Sequence, residues 1–322
     1  MCEPYRLEPV YKQILWGGDH IAKRFGRKTP FEKVAESWEV TCREDGMSVV
    51  VGGSCAGMTL GELMERDGEK LLGSRSVARY GRDFFPLLIK FIDANDRLSV
   101  QVHPDDAYAH RMGEPNGKNE MWYIIDAKPG AKLVFGLKDG VTKESFAGAV
   151  RGGTVGDTLR EVPVKPGDSF YIKAGTVHAI LDGILIAEIQ QNSNTTYRIY
   201  DWGRVGKDGK PRALAVDHAM DVIDFAAGGH GSVFPARQET GATVRPLVDS
   251  TYFTVDEIRV DGRWGGRTDG GSFAALDVTE GEGTLRYDGG TMPLKAGQSL
   301  LLPACLGEYS VDGRLTVLDS RV

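Results

Sequence analysis

The run Val164-Lys165-Pro166-Gly167-Asp168-Ser169-Phe170-Tyr171-Ile172-Lys173-Ala174 returns 130 residues later as Leu294-Lys295-Ala296-Gly297-Gln298-Ser299-Leu300-Leu301-Leu302-Pro303-Ala304. Each copy reads as a glycine-containing turn followed by a short apolar strand, and a unit repeated in this way implies one structural design used twice. The same offset carries His178 onto Glu308, and the stretch 274–287 of the second copy holds no histidine. The chain is therefore expected to form two barrels of common design, of which the second has lost whatever chemistry the first performs.

Glycine supports this expectation. It occurs 42 times in 322 residues, between short runs of Val, Ile, Leu, Phe and Tyr, which is the punctuation of a mainly β protein with tight turns. Helices should be short excursions over Thr59–Leu72, Pro104–Met112 and Thr142–Val150, the first opened by Thr59 with Glu62 three residues on as a capping box. Helical signal from Ala215 to Phe225 ends in the small residues Ala226-Ala227-Gly228-Gly229-His230-Gly231-Ser232. This places a boundary between a domain 1–235 and a smaller, degenerate domain 236–322.

A net charge of −6 excludes nonspecific nucleic-acid binding, so an anionic ligand must meet local cations instead. Cys2, Cys42, Cys55 and Cys305 lack any C-x-x-C spacing, so neither a disulfide framework nor a thiolate metal site is expected. With no targeting segment and no apolar run of membrane-spanning length, the expectation is a soluble cytoplasmic protein without nucleic-acid or membrane partners, monomeric or a small homo-oligomer.

In Arg97-Leu98-Ser99-Val100-Gln101-Val102-His103-Pro104, strand alternation projects Gln101 and His103 from one face before a proline stops the strand. Glu120 opens the run Glu120-Met121-Trp122-Tyr123-Ile124-Ile125, and His178 closes Lys173-Ala174-Gly175-Thr176-Val177-His178. An amide oxygen, a carboxylate and two imidazoles suit Zn²⁺, Fe²⁺, Mn²⁺ or Co²⁺. In Ile184-Leu185-Ile186-Ala187-Glu188-Ile189-Gln190 the alternation points Glu188 where an apolar residue would normally go, so it is either buried with a partner or used in catalysis.

The ordered motifs Trp16-Gly17-Gly18, Glu36-Ser37-Trp38-Glu39, Phe85-Pro86-Leu87-Leu88-Ile89-Lys90, Gln101-Val102-His103-Pro104, Ala174-Gly175-Thr176-Val177-His178 and Thr196-Tyr197-Arg198-Ile199-Tyr200-Asp201-Trp202 resemble the type I mannose-6-phosphate isomerases in their short bacterial form. The resemblance runs from about residue 5 to 225 and continues weakly to the C-terminus. It implies a cupin (jelly-roll) barrel holding one zinc ion per chain, and interconversion of mannose 6-phosphate and fructose 6-phosphate through a cis-enediol. It places the metal ligands on Gln101, His103, Glu120 and His178, the catalytic arginine on Arg198 and a glutamate on Glu188. Lys90, Ser99 and Arg204 fall where the family approaches the phosphate. Lys118, two residues before Glu120, is a further substrate cation, and Trp16 a wall of the cleft.

The general base stays open among Glu188, a base acting through metal-bound water, and His103 or Lys118. One departure stands out: many family members carry aspartate four residues before the arginine, where this chain has Asn194. Two other readings are a metal-dependent cupin oxygenase and a sugar-phosphate-binding regulatory cupin without turnover. The cations at 118, 198 and 204 favour a phosphorylated substrate, and Glu188 together with Arg198 favours turnover.

Overall fold

The computed structural model describes residues 2–206, 209–226 and 234–322, and its strands pair antiparallel throughout. The proposed boundary stretch around 227–233 lies outside the described residues.

The first barrel packs two sheets face to face. One has six strands in the order Ser169–Ile172, Glu120–Ala127, Ile184–Gln191, Leu87–Ala94, Glu36–Val40 and Val10–Lys12. The other has five, in the order Leu159–Pro163, Lys132–Leu137, His178–Ile180, Val100–Val102 and Tyr197–Tyr200. Every residue of Leu87–Ala94 and of Ile184–Gln191 is buried, so the centre of the six-stranded sheet is covered on both faces. One face meets Trp122, Ile124, Leu133 and Phe135 inside the barrel, and the other meets the core shared with the second barrel. Charged residues at interior positions are therefore shielded from bulk water.

The second barrel is one long sheet running Arg237–Glu239, Ala242–Asp249, Thr254–Arg267, Glu308–Arg321, Ala274–Tyr287 and Ser299–Leu302, with Gly290–Lys295 paired on Ala274–Tyr287. It is completed from the far end of the chain by Tyr5–Glu8, with Tyr5 opposite Leu301, and then by Val49–Val50. The repeat holds in three dimensions. Ser169–Ile172 and Ser299–Leu302 are both strands, preceded by Gly167 at φ 87° and Gly297 at φ 85°, left-handed turns that glycine adopts without the Cβ penalty. His178 and Glu308 each open the strand that follows.

Helices cover the outside. Thr59 forms the capping box with Glu62, but the helix stops at Asp67 because Gly68 turns to φ 48°, and Glu69–Leu72 follows as a separate turn. The other expected helices are Asp106–Arg111, Lys143–Gly152 and Val216–Val222, while His20–Phe25 and Ser74–Tyr80 carried no clear sequence signal. Among the described residues no helix is long and apolar enough to cross a membrane.

The cysteine expectation needs correction. Cys2 and Cys305 form a disulfide across 303 residues with Cα atoms 6.2 Å apart. Spacing could not reveal it, because the pairing of Tyr5–Glu8 with Ser299–Leu302 is what brings the two ends of the chain together. Its presence also removes the cysteine argument for a reducing compartment.

Candidate metal and sugar-phosphate site

The residues expected to hold a metal come from both sheets of the first barrel. On the five-stranded sheet His178 pairs with Gln101 and Gln101 with Arg198, and on the six-stranded sheet Glu120 pairs with Gln190 while Glu188 lies between Trp122 and Lys90. The strand carrying Gln101 is shorter than the sequence suggested and ends at Val102, so His103 stands just beyond it. There Pro104 can donate no ladder bond. His103 is fixed instead by its ring, which faces the Thr195 carbonyl through Nδ1 at 2.9 Å.

His103, Glu120 and His178 bring one ligand atom each to within 4.8 Å of one another. A carbonyl oxygen can only accept, so Nδ1 of His103 carries its proton towards Thr195, as does Nδ1 of His178 towards the Thr176 carbonyl at 2.8 Å. Both Nε2 lone pairs are thereby turned inward, with Nε2 3.4 Å from a Glu120 oxygen in each case. Burial drops the pKa of His178 to about 4. Burial, with help from Lys118 and His178, lowers that of His103 well below the usual histidine value, so both rings are neutral donors.

Glu120, wholly buried, has its pKa raised to about 7 by burial and by the charge of Glu188, against the pull of Lys118. Glu120 Oε1 and His178 Nε2 have no hydrogen-bond partner. The Lys118 ammonium lies 2.6 Å from Glu120 Oε2 and 3.1 Å from His103 Nε2, so a cation already sits against part of the donor set. A buried carboxylate oxygen and a buried imidazole nitrogen without partners, with the second neutral imidazole of His103 beside them, fit a divalent ion. Gln101, the fourth expected ligand, pairs with His178 and lines the adjoining cavity.

That cavity, about 150 Å³, is lined by Trp16, Lys90, Ser99, Lys118, Glu188, Arg198 and their neighbours. Its floor is a charged relay. Lys90 Nζ lies 3.2 Å from Glu188 and 3.6 Å from Glu36, over the Trp38 ring at 5.4 Å. Burial works against the Lys90 charge, but Glu36, Glu188 and Glu120 outweigh it and hold the pKa above the usual lysine value. Burial likewise opposes ionisation of Glu188. Lys90, Lys118 and the Trp122 indole, which donates to Oε2 at 3.0 Å, prevail and keep it below the ordinary carboxylate range. An ionised carboxylate thus waits beside the ligand set.

Arg198 donates from Nε to Ser99 Oγ at 3.2 Å and from Nη1 to the Ala213 carbonyl at 2.9 Å, and it makes no ion pair among the described residues. Arg204 also faces inward, to Asp201 at 2.6 Å and the Arg97 carbonyl, and does not line the cavity. Asn194 is exposed and donates to Asp45 at 2.7 Å.

Two charged lining residues had no role assigned from sequence. Glu36 stands in the Glu36-Ser37-Trp38-Glu39 motif, where period-two alternation puts it on the Trp38 face. Arg212 lies in the turn after Trp202, a segment without periodicity.

These features define a cupin metalloprotein whose ligand set opens onto a small polar cavity containing a carboxylate and several cations. Residues 5–134 match the family described as phosphomannose isomerase type I, catalytic domain, and residues 243–322 match the mannose-6-phosphate isomerase cupin domain. The chain is 39% identical over 313 residues to mannose-6-phosphate isomerase ManA of Bacillus subtilis, covering 97% of this chain and 96% of that protein. It is 38% identical over 315 residues to the probable mannose-6-phosphate isomerase GmuF of the same organism, covering 97% of each. The crystal structure of the Bacillus subtilis mannose 6-phosphate isomerase superposes with a TM-score of 0.92 at 34% identity, covering 99% of both chains. The chain belongs to the type I mannose-6-phosphate isomerase family.

Proposed function

We propose that this protein interconverts mannose 6-phosphate and fructose 6-phosphate with one Zn²⁺ per chain, held by Gln101, His103, Glu120 and His178. The observation that carries the reading is the donor set: two neutral imidazoles with inward lone pairs and a carboxylate, joined to a cavity holding an ionised Glu188 and an Arg198 that makes no ion pair among the described residues. Imidazole and carboxylate donors without thiolates suit zinc. When bound, the ion polarises the sugar's oxygens as a Lewis acid.

The residues supply the remaining chemistry. Glu188 takes the proton from C2 of the open-chain aldose and returns it to C1, passing through the neutral carboxylic acid between the two steps, while the proton of the C2 hydroxyl is transferred to O1. Lys90 and Trp122 hold it in place, and the Lys90 charge keeps it ionised at rest. Arg198 offsets the negative charge that develops on the enediol oxygens, and its two hydrogen bonds fix it before substrate arrives. Lys118, once its acceptors pass to the ion, has hydrogens to donate to the sugar. Ser99 and Lys90 line the cavity and serve the sugar phosphate through hydrogen bonding and charge, Arg204 acts from behind the lining through its hold on Asp201, and buried Trp16 walls the cleft.

We further propose that 1–235 is the catalytic unit and 236–322 a degenerate cupin that buries apolar surface, and that the protein works in the cytoplasm. Turnover of mannose 6-phosphate in D₂O tests the chemistry. Deuterium appearing on C1 of fructose 6-phosphate supports proton transfer through an exchangeable base, and absence of product contradicts the reading.

A further inference from the structure

We propose that the Cys2–Cys305 disulfide and the cavity around it form a thiol-exchange site, where an anionic low-molecular-weight thiol attacks Cys305 Sγ and is held as a mixed disulfide. The site shares no lining residue with the metal cavity. Its own cavity, about 340 Å³, is lined by Cys2, Cys305 and Cys55 together with Arg66, Asp67 and Lys70. Three of the four cysteines in the chain thus meet in one place.

The fold decides which sulfur is attacked. Cys305 is exposed in the turn between Ser299–Leu302 and Glu308–Arg321, whereas Cys2 is half-buried against the core of the second barrel. Exchange follows access to the sulfur, so the incoming thiol meets Cys305 first. Cys55 is buried, and Arg66 Nη1 donates to its Sγ at 3.0 Å. The turn does not depend on the disulfide for its place, because the Ala304 and Cys305 N–H groups donate to the Leu71 and Lys70 carbonyls, each at 3.0 Å.

Charge selects the class of thiol. Arg66 is paired with Asp67 at 2.6 Å, while Lys70 makes no hydrogen bond or ion pair among the described residues. The Glu3 carboxylate accepts from the Ser54 N–H at 3.2 Å and does not line the cavity. One positive charge is left over beside the disulfide, which favours a thiol that carries carboxylates. In the exchange, the thiolate of the small molecule forms a new bond to Cys305 Sγ as the Cys2–Cys305 bond breaks. The electron pair of the broken bond leaves on Cys2 Sγ, which takes up the proton that the small thiol gave up. Tyr5–Glu8 keeps its pairing with Ser299–Leu302 and Val49–Val50 throughout.

The test uses the full chain and reads the modified cysteine by acid quench, alkylation and peptide mass spectrometry. Cys2→Ser cannot reclose the bond, so treatment with oxidised glutathione should leave one glutathione per chain, on Cys305. Cys305→Ser should take glutathione on Cys2 far more slowly. In the disulfide-bonded wild type, glutathione should produce the same Cys305 adduct transiently, a reading that does not depend on how well either variant folds. Lys70→Gln should slow cleavage by glutathione, relative to uncharged 2-mercaptoethanol, by about 2- to 5-fold, the range of one exposed charge pair. Glutathione on Cys42 or Cys55 in place of Cys305, equal rates at Cys2 and Cys305 in the two serine variants, or no adduct at all would overturn the proposal. A rate ratio unchanged by Lys70→Gln would overturn the assignment to an anionic thiol.

Discussion

Lys118 Nζ stands 2.6 Å from Glu120 Oε2 and 3.1 Å from His103 Nε2, so a side-chain cation sits against two of the groups expected to hold the metal. In the metal-free protein Lys118 supplies a positive charge that Glu120 would otherwise lack. Removing the metal should therefore abolish activity while leaving the barrel folded. Circular dichroism before and after chelation should superpose, whereas Lys118→Ala should lower the melting temperature of the chelated protein more than that of the zinc-loaded one. His178→Ala should release the metal outright, read as zinc content per chain.

Arg198→Ala should lower kcat by about 100- to 1000-fold, the effect of removing one preorganised donor for a developing oxyanion. Zinc content should not change, because Arg198 bonds Ser99 and the Ala213 carbonyl and no member of the ligand set. Zinc lost together with activity would mean that the residue is structural.

Glu188→Gln keeps the shape of the side chain and the Trp122 contact but removes the base. A fall in kcat of roughly 10²- to 10⁴-fold is expected. Deuterium exchange into substrate should fall in parallel, which separates loss of proton transfer from loss of binding.

The grouping of His103, Glu120 and His178 was legible because each sits on or beside a strand whose period-two alternation survives folding, and because both sheets turn those positions inward. The repeat was legible for a similar reason, since a glycine turn and an apolar strand fold locally and did so twice. What was not legible depends on contacts between distant segments. The Cys2–Cys305 pair needs the closure of Tyr5–Glu8 onto Ser299–Leu302, and no local pattern announces it. Arg212 lines the cavity just beyond the isolated bridge of Val205 to Pro211 and outside any strand, where spacing carries no directional information. Glu36 was in view within its motif, but its use became apparent only when Lys90 was seen lying between it and Glu188.

Asp277 offers a test of pH dependence away from the site. Fully buried, it accepts from Ser299 at 2.5 Å, and burial raises its pKa to about 7 despite that bond. A carboxyl group whose folded pKa exceeds its unfolded value binds more protons when folded, so its contribution to stability falls as pH rises from about 4 to about 7. The penalty at pH 8 is at most roughly 4 kcal/mol. Asp277→Asn should therefore gain stability relative to wild type at pH 8 and much less at pH 5, measured by urea unfolding at both values.

The two barrels share one core. Phe85 stacks on Phe273 with centroids 4.9 Å apart, and Tyr123 of the first barrel donates to the buried Glu257 of the second at 2.6 Å. Deleting residues beyond about 240 should expose Phe85, Leu87 and Phe91 and leave Tyr5–Glu8 without its partner strand. Aggregation of the truncated chain is expected in light scattering, and a soluble, fully active truncation would contradict the shared core.

The central claim is tested most directly by a coupled assay for fructose 6-phosphate formed from mannose 6-phosphate, run on the purified protein as isolated, after chelation, and after Zn²⁺ is restored. The account predicts activity that disappears with the metal and returns with zinc. Activity that survives complete removal of metal, or none with any divalent ion supplied, would contradict it.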